Sequence, residues 1–261
     1  MPLHKQQHGD ISKPTLIFLH GFLGSSNDWH ETIALLKDDF HCITIDLPGH
    51  GSSVTTANSR SNGFDHCHQL ITNILDDLSI KQYTLIGYSL GGRIALDYAR
   101  TQNDPRLTAL LLESSHTGLL DEQAKERRFI HDHSWAKKFA TQHIIDTLDE
   151  WYDQDVFSDL SEREKEIIIN QRSDNYGVPV ANTLLATSLG KQINALPYLQ
   201  QTDLKIHYCF GEKDKKFKDV SAQLNNLAHV NCVQFDQAGH NIHQYYAPQF
   251  AQFILQNLTH S

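Results

Sequence analysis

Short apolar runs alternate with stretches of helical period along the first part of the chain. Thr15-Leu16-Ile17-Phe18-Leu19, His41-Cys42-Ile43-Thr44-Ile45, Tyr83-Thr84-Leu85-Ile86 and the run from Leu107 to Leu112 read as buried strands. Between them, a helix is expected from near Asn27, with Trp29, Ile33, Leu35 and Leu36 on or near its apolar face. Another is expected from about Phe64 to Leu78, where Leu70, Ile74 and Leu78 recur at helical spacing, and a third over Gly92 to Ala99. Strands alternating with helices predict a mostly parallel central sheet with helices on both faces.

The rhythm breaks after Glu113. From about Thr117 to Pro197 the chain is charged, helical in period and without a convincing strand. The segments Glu122 to Phe139, Ile144 to Tyr152 and Ser161 to Asn170 stand out. In the last, Ser161 followed by Glu164 is a capping box, in which side chain and backbone satisfy each other at a helix start. The rhythm returns with Lys205 to Phe210, a helix around Val220 to Leu227, the strand Cys232 to Phe235 and a closing helix from about Pro248 to Leu258. Residues 1–116 and 198–261 thus form one α/β core, interrupted by a helical insertion over 117–197. The insertion leaves the sheet on the side where loops build sites, which suits a lid.

Composition narrows the class. With 39% hydrophobic residues over 261 positions, one large domain with a sizeable core is expected. No stretch approaches the roughly 18 apolar residues of a membrane span, and the N-terminus has no apolar segment of the secretory type. The net charge of −9 disfavours nucleic acid and anionic membranes as partners. It also requires any anionic substrate to be held by a local basic cluster. The four cysteines form no C-x-x-C pair, which fits a reducing cytoplasm. Among the 17 histidines, His66-Cys67-His68 and His131-Asp132-His133 lack the spacing of a metal site.

One pentapeptide carries chemistry. Gly87-Tyr88-Ser89-Leu90-Gly91 joins an apolar strand to a helix, the context of a nucleophile elbow. Glycines relieve the tight turn, Ser89 stands above the sheet edge, and the Leu90 amide lies at a helix start where it can donate to an oxyanion. A serine hydroxyl needs an imidazole to take its proton, and the imidazole needs an acceptor to fix its tautomer. In the chain order serine, acid, histidine, the loop Gly211-Glu212-Lys213-Asp214 nominates Asp214, with Glu212 as competitor. Gln237-Ala238-Gly239-His240-Asn241 nominates His240, with His243 the weaker choice. The loop His20-Gly21-Phe22 offers the Phe22 amide as second oxyanion donor. Arg93, four residues after Ser89, falls on the same helix face one turn on, where a cation suits a substrate with a carboxylate. The insertion adds Arg127, Arg128, Trp151, Tyr152, Phe157 and Arg172, which spacing alone does not assign.

These motifs, with the Asp46-Leu47-Pro48-Gly49-His50-Gly51-Ser52 turn, make the chain resemble the α/β-hydrolase superfamily. Tyr88-Ser89-Leu90-Gly91-Gly92-Arg93, Trp151-Tyr152 before Val156-Phe157, the string Leu184 to Leu189, Asp214 with Phe217, and Ala238-Gly239-His240-Asn241 narrow the resemblance. Across nearly the whole chain it is similar to the 2-succinyl-6-hydroxy-2,4-cyclohexadiene-1-carboxylate synthases of menaquinone biosynthesis. That resemblance implies a cofactor-free, metal-free lyase on a hydrolase scaffold, which eliminates pyruvate from a small tricarboxylate. Ser89, Asp214 and His240 would act as base, and Phe22 and Leu90 would hold the dienolate. By position Arg93, Arg128 and Arg172, with Tyr88 and Trp151, match the family's substrate-binding residues, Arg127 remaining an alternative to Arg128. A carboxylesterase or carbon–carbon bond hydrolase working through an acyl-serine is the competing expectation. A monomer is expected, since no exposed apolar stripe is evident.

Overall fold

The computed structural model describes residues 2–53 and 62–258. Seven strands form one sheet: β1 (Lys5–His8), β2 (Thr15–Leu19), β3 (His41–Ile45), β4 (Tyr83–Tyr88), β5 (Leu107–Glu113), β6 (Lys205–Gly211) and β7 (Val230–Phe235). Their spatial order is β1-β3-β2-β4-β5-β6-β7, and every pair is parallel except β1 with β3. The period of two decides which side chain meets which layer. Ile17, Leu19, Ile43, Leu85, Leu110 and Leu112 point to one face, where α2 (Gly63–Asp77), α3 (Leu90–Gln102) and α9 (Lys215–Leu224) pack. Leu16, Phe18, Cys42, Ile86, Ala109 and Leu111 point to the other, covered by α1 (His30–Leu36) and α10 (Ala247–Leu258).

Between β5 and β6 run α4 (Glu122–Thr141), α5 (Ile144–Tyr152), α6 (Glu162–Arg172), α7 (Gly177–Ala186) and the short α8 (Leu196–Leu199). They have a core of their own around Trp135, Phe139, Leu148, Tyr152, Ile168, Val180 and Leu184, and it takes in Phe22 and Leu23. The apolar contact therefore joins these helices to the loop after β2. Polar bonds add to it: the Asn175 amide donates to the Leu23 carbonyl (2.9 Å) and the Thr183 hydroxyl to the Pro48 carbonyl (2.7 Å). The Ser161 capping box is formed, and α6 continues past Asn170 to Arg172.

Three elements differ from expectation. The first helix begins as a 3-10 turn over Ser26–Trp29, capped by Ser25, and Leu35 turns outward at 47% exposure while Ile33 and Leu36 are buried. The helix expected at Val220 to Leu227 starts earlier, at Lys215, because the Asp214 carboxylate caps it by accepting from the Phe217 amide. Strand β1, Lys-Gln-Gln-His, carries no apolar signal. Its order comes from backbone pairing with β3 at the sheet edge.

Candidate active site

Ser89 sits where β4 turns into α3, with φ 49° and ψ −105°. A non-glycine residue held there is strained by about 1–3 kcal/mol. The turn persists because its neighbours allow no other path. A Cβ on Gly91 would lie 2.2 Å from the Leu19 carbonyl oxygen, and one on Gly87 would lie 2.6 Å from the Gly91 backbone. The side chain is thereby lifted toward the C-terminal ends of the strands. His240, after β7, places Nε2 at 3.3 Å from Ser89 Oγ, and its Nδ1 donates to Asp214 Oδ2 at 2.7 Å. Asp214 thus does two things, capping α9 with one oxygen and holding the imidazole with the other. Glu212 is exposed and accepts from the Gln237 amide instead.

His243 is not the partner of Ser89. It forms a fully buried pair with Glu113 at the end of β5, Nδ1 to Oε2 2.9 Å, both side chains at 0% exposure. The other Glu113 oxygen accepts from the Ile242 and His243 amides (2.6 and 3.1 Å), while its carbonyl accepts from the Ser89 amide at 2.9 Å. One residue therefore ties the elbow to the turn that follows His240. Glu113→Ala would strand these donors in the core and is expected to cost about 3–5 kcal/mol, measured as a fall in the urea midpoint. Glu113→Gln, which can still accept from both amides, should lose less.

The Phe22 and Leu90 amides find no protein acceptor among the described residues. The loop carrying Phe22 is shaped by His20. Its Nδ1 donates to the Gly21 carbonyl (2.7 Å), and its Nε2 accepts from the Leu47 amide (2.9 Å). Burial lowers the His20 pKa, so the ring is neutral and this tautomer is fixed.

Two lobes meet at Ser89. The first is lined by aromatic side chains, Tyr88, Trp151, Tyr152, Phe157 and Tyr245, with Arg172 and Asp28. Tyr88 packs against both His240 and His243, with ring centroids 5.3 and 4.8 Å apart. Trp151 packs on Phe22 at 5.1 Å. Arg172 belongs to this lobe. It faces the cavity, but its two terminal nitrogens are held by Asp28 at 2.5 and 2.9 Å, so it is not a free cation. Burial opposes its charge, yet Asp28 and Tyr152 together outweigh burial and raise its pKa.

The second lobe is cationic, lined by Ser89, Leu90, Arg93, His116, Arg128 and Lys216. Arg93 is buried, and its Nη1 donates to the Thr187 carbonyl at 2.7 Å. Burial lowers its pKa, and the nearby Arg128 lowers it further. Arg128 Nε donates to Asp132 Oδ1 (2.7 Å), and Asp132 is fixed in turn by the Ser188 hydroxyl (2.6 Å). Arg127 points away and lies 3.6 Å from Asp121, so Arg128 is the residue that lines the cavity. The string Leu184 to Leu189 thus acts behind the arginines, Thr187 holding one and Ser188 holding the acid that holds the other. Its spacing signalled a motif but not this role. Glu113, His116 and Lys216 were missed, since nothing local distinguishes them. Among the described residues no group of three or more His, Cys, Asp or Glu side chains is placed to hold a metal ion.

Residues 14–245 match the family described as the alpha/beta hydrolase fold. The chain is 39% identical over 252 residues to a 2-succinyl-6-hydroxy-2,4-cyclohexadiene-1-carboxylate synthase from Yersinia enterocolitica, covering 95% of this chain and 88% of that protein. It is 38% identical, at the same coverage, to the synthase of that name from Yersinia pestis. The solved structure of MenH from S. aureus superposes with a TM-score of 0.90, at 30% identity and 98% coverage of both chains. A carboxylesterase structure from Nitrososphaera gargenis matches at a TM-score of 0.81 with 18% identity, covering 98% of this chain and 93% of that one, a likeness of fold alone. With this site, this sheet and this identity along nearly its whole length, the chain belongs to the α/β-hydrolase fold family and, within it, to the 2-succinyl-6-hydroxy-2,4-cyclohexadiene-1-carboxylate synthases.

Proposed function

We propose that this protein is a carbon–oxygen lyase that eliminates pyruvate from 2-succinyl-5-enolpyruvyl-6-hydroxy-3-cyclohexene-1-carboxylate, with Ser89 as the proton-abstracting base. The observation that carries the proposal is the cationic lobe opening directly beside Ser89, His240 and the two unpaired amides. A hydrolase of neutral esters gains nothing from Arg93, Arg128 and Lys216 over its serine, whereas a trianion does.

His240 Nε2 takes the Ser89 hydroxyl proton, and Asp214 stabilises the imidazolium that results. Ser89 Oγ removes the ring proton next to the succinyl ketone. The C–H electron pair becomes a double bond between that ring carbon and the ketone carbon, the carbonyl pair moves onto the ketone oxygen, and the Phe22 and Leu90 amides hold that charge without reorganisation. The oxyanion then collapses to the ketone, its electron pair forms a ring double bond, the existing double bond shifts by one position, the bond to the enolpyruvyl oxygen breaks, and that oxygen takes the proton carried by His240, which restores the triad. The released enol tautomerises to pyruvate, and the ring leaves as the conjugated diene. The helices α4 to α7 act as a lid that excludes water from the dienolate, and Tyr88 and Trp151 pack against the ring. The four cysteines are free thiols, in keeping with a reducing cytoplasm, and no described helix is long and apolar enough to cross a membrane.

The test supplies the enolpyruvyl substrate and follows pyruvate with a coupled dehydrogenase, with p-nitrophenyl esters assayed in parallel. Pyruvate should appear in step with the diene. Rapid ester turnover without pyruvate would replace the lyase with the acyl-serine hydrolase.

A further inference from the structure

A trianion needs more than two arginines, and Arg172 is already neutralised by Asp28. The cationic lobe contains two further groups, Lys216 and His116, which have no part in the proton transfers. Lys216 is the second residue of α9, two positions after the acid that caps that helix, so the turn that places Asp214 also places Lys216. Its ammonium lies 5.3 Å from the centroid of the Phe217 ring and lines the lobe with Arg93 and Arg128. Among the described residues no carboxylate lies within ion-pair distance of it, whereas Arg128 has Asp132. Three cations against one fixed carboxylate leave the lobe positive.

His116 follows β5 and enters the same lobe. The Gly118 amide donates to its Nδ1 at 2.9 Å. The ring proton of the neutral form must therefore sit on Nε2. Burial, then Lys216, Arg93 and Arg128, press its pKa down to about 3, so the ring stays uncharged at neutral pH. An imidazole in this setting is a fixed N–H donor that adds no charge.

We propose that Lys216 and His116 complete, with Arg93 and Arg128, a carboxylate-binding subsite. The ammonium supplies the charge that holds one substrate carboxylate, and the His116 Nε2–H orients it. The proposal rests on the lyase reading and deepens it. Arg93 and Arg128 are each anchored on one edge by protein, which leaves Lys216 as the cation free to follow the ligand. Lys216 also borders a second depression on the outer side, formed with Asp155, Asp159, Lys213 and Lys215, so it stands between solvent and the lobe.

A pH signature follows. Although Lys216 as a whole is exposed, desolvation around its ammonium first, then Arg128 and Arg93, lower its pKa to about 8, with Asp214 and Asp132 opposing. The groups facing it are Arg93 on α3, Arg128 and Asp132 on α4, His116 after β5, Asp214 at the start of α9, and Asp155, Asp159, Lys213 and Lys215 on the outer side. Lys216 is charged below its pKa and loses its proton above it. Affinity for the trianion should therefore fall as pH rises through about 8.

The experiment compares wild type, Lys216→Met and Lys216→Arg in pyruvate release across pH. Lys216→Met should raise KM about 10- to 100-fold, the effect of removing one charged hydrogen bond, with kcat within a few-fold. Lys216→Arg should restore most of the affinity and abolish the alkaline loss. Calorimetric titration of the enolpyruvyl substrate into Ser89→Ala and Ser89→Ala/Lys216→Met reads the same affinity without turnover. Active wild type with an unchanged KM in Lys216→Met would overturn the subsite and leave the lyase standing. A fall in kcat alone would overturn it too, since Lys216 would then act through Asp214. Wild type that releases no pyruvate would remove the lyase reading and the subsite with it.

Discussion

Ser89→Ala is expected to cut pyruvate release by about 10³-fold while leaving the fold unchanged, in line with the 10²–10⁴-fold typical of a positioned base. Alanine tolerates φ 49° no better and no worse than serine, so the strained turn is not altered. The hydroxyl's protein partner is His240 at 3.3 Å. The main-chain contacts of residue 89, to the Glu113 carbonyl and the Arg93 amide, survive the change. His240→Ala should cost a similar factor, and the double variant should be little worse than either single one. Groups that act as one unit are not additive. Steady-state pyruvate release and a thermal melt on each variant check this. Additive losses would mean that Ser89 and His240 serve separate steps.

Arg93→Met is expected to lower kcat/KM by about 30-fold or more, since truncating a buried charged partner costs 2–5 kcal/mol. Methionine fills much of the volume against Phe64, whose ring lies 5.9 Å from the guanidinium carbon. The Thr187 carbonyl loses its donor, a smaller and separate effect on stability. Arg127→Met is the control. It removes the same charge from the chain, but that side chain is exposed and turned toward Asp121. An equal loss in both variants would mean that net charge matters and the lobe does not.

The elbow, the alternation of strands and helices and the candidates Asp214 and His240 were legible because each is written locally: an apolar run, a turn with glycine, and a polar residue at a strand end. What stayed hidden depends on distant partners. Spacing alone leaves Arg172 unassigned, and nothing local announces its pairing with Asp28, 144 residues earlier. Glu113 reads as the last residue of an apolar strand, and only the fold brings it to the amides of Ile242 and His243. Helix α7 was not set apart within the helical stretch because Gly177 and Pro179 at its start look like a turn, and its burial against α4 supplies the stability its opening lacks. The shifted start of α9 has a similar cause. Lys213-Asp214-Lys215-Lys216 looks like a charged loop, and the cap that makes it a helix also serves His240. Lys216 was hidden by that same error, since a loop lysine gives no direction.

The most direct test of the base role of Ser89 is the deuterium isotope effect on pyruvate formation in a single turnover, with substrate deuterated at the ring carbon beside the succinyl ketone. A normal primary effect, with pyruvate formed and Ser89 unmodified, is the expected result. Pyruvate formed with no isotope effect while Ser89 becomes acylated would contradict the account.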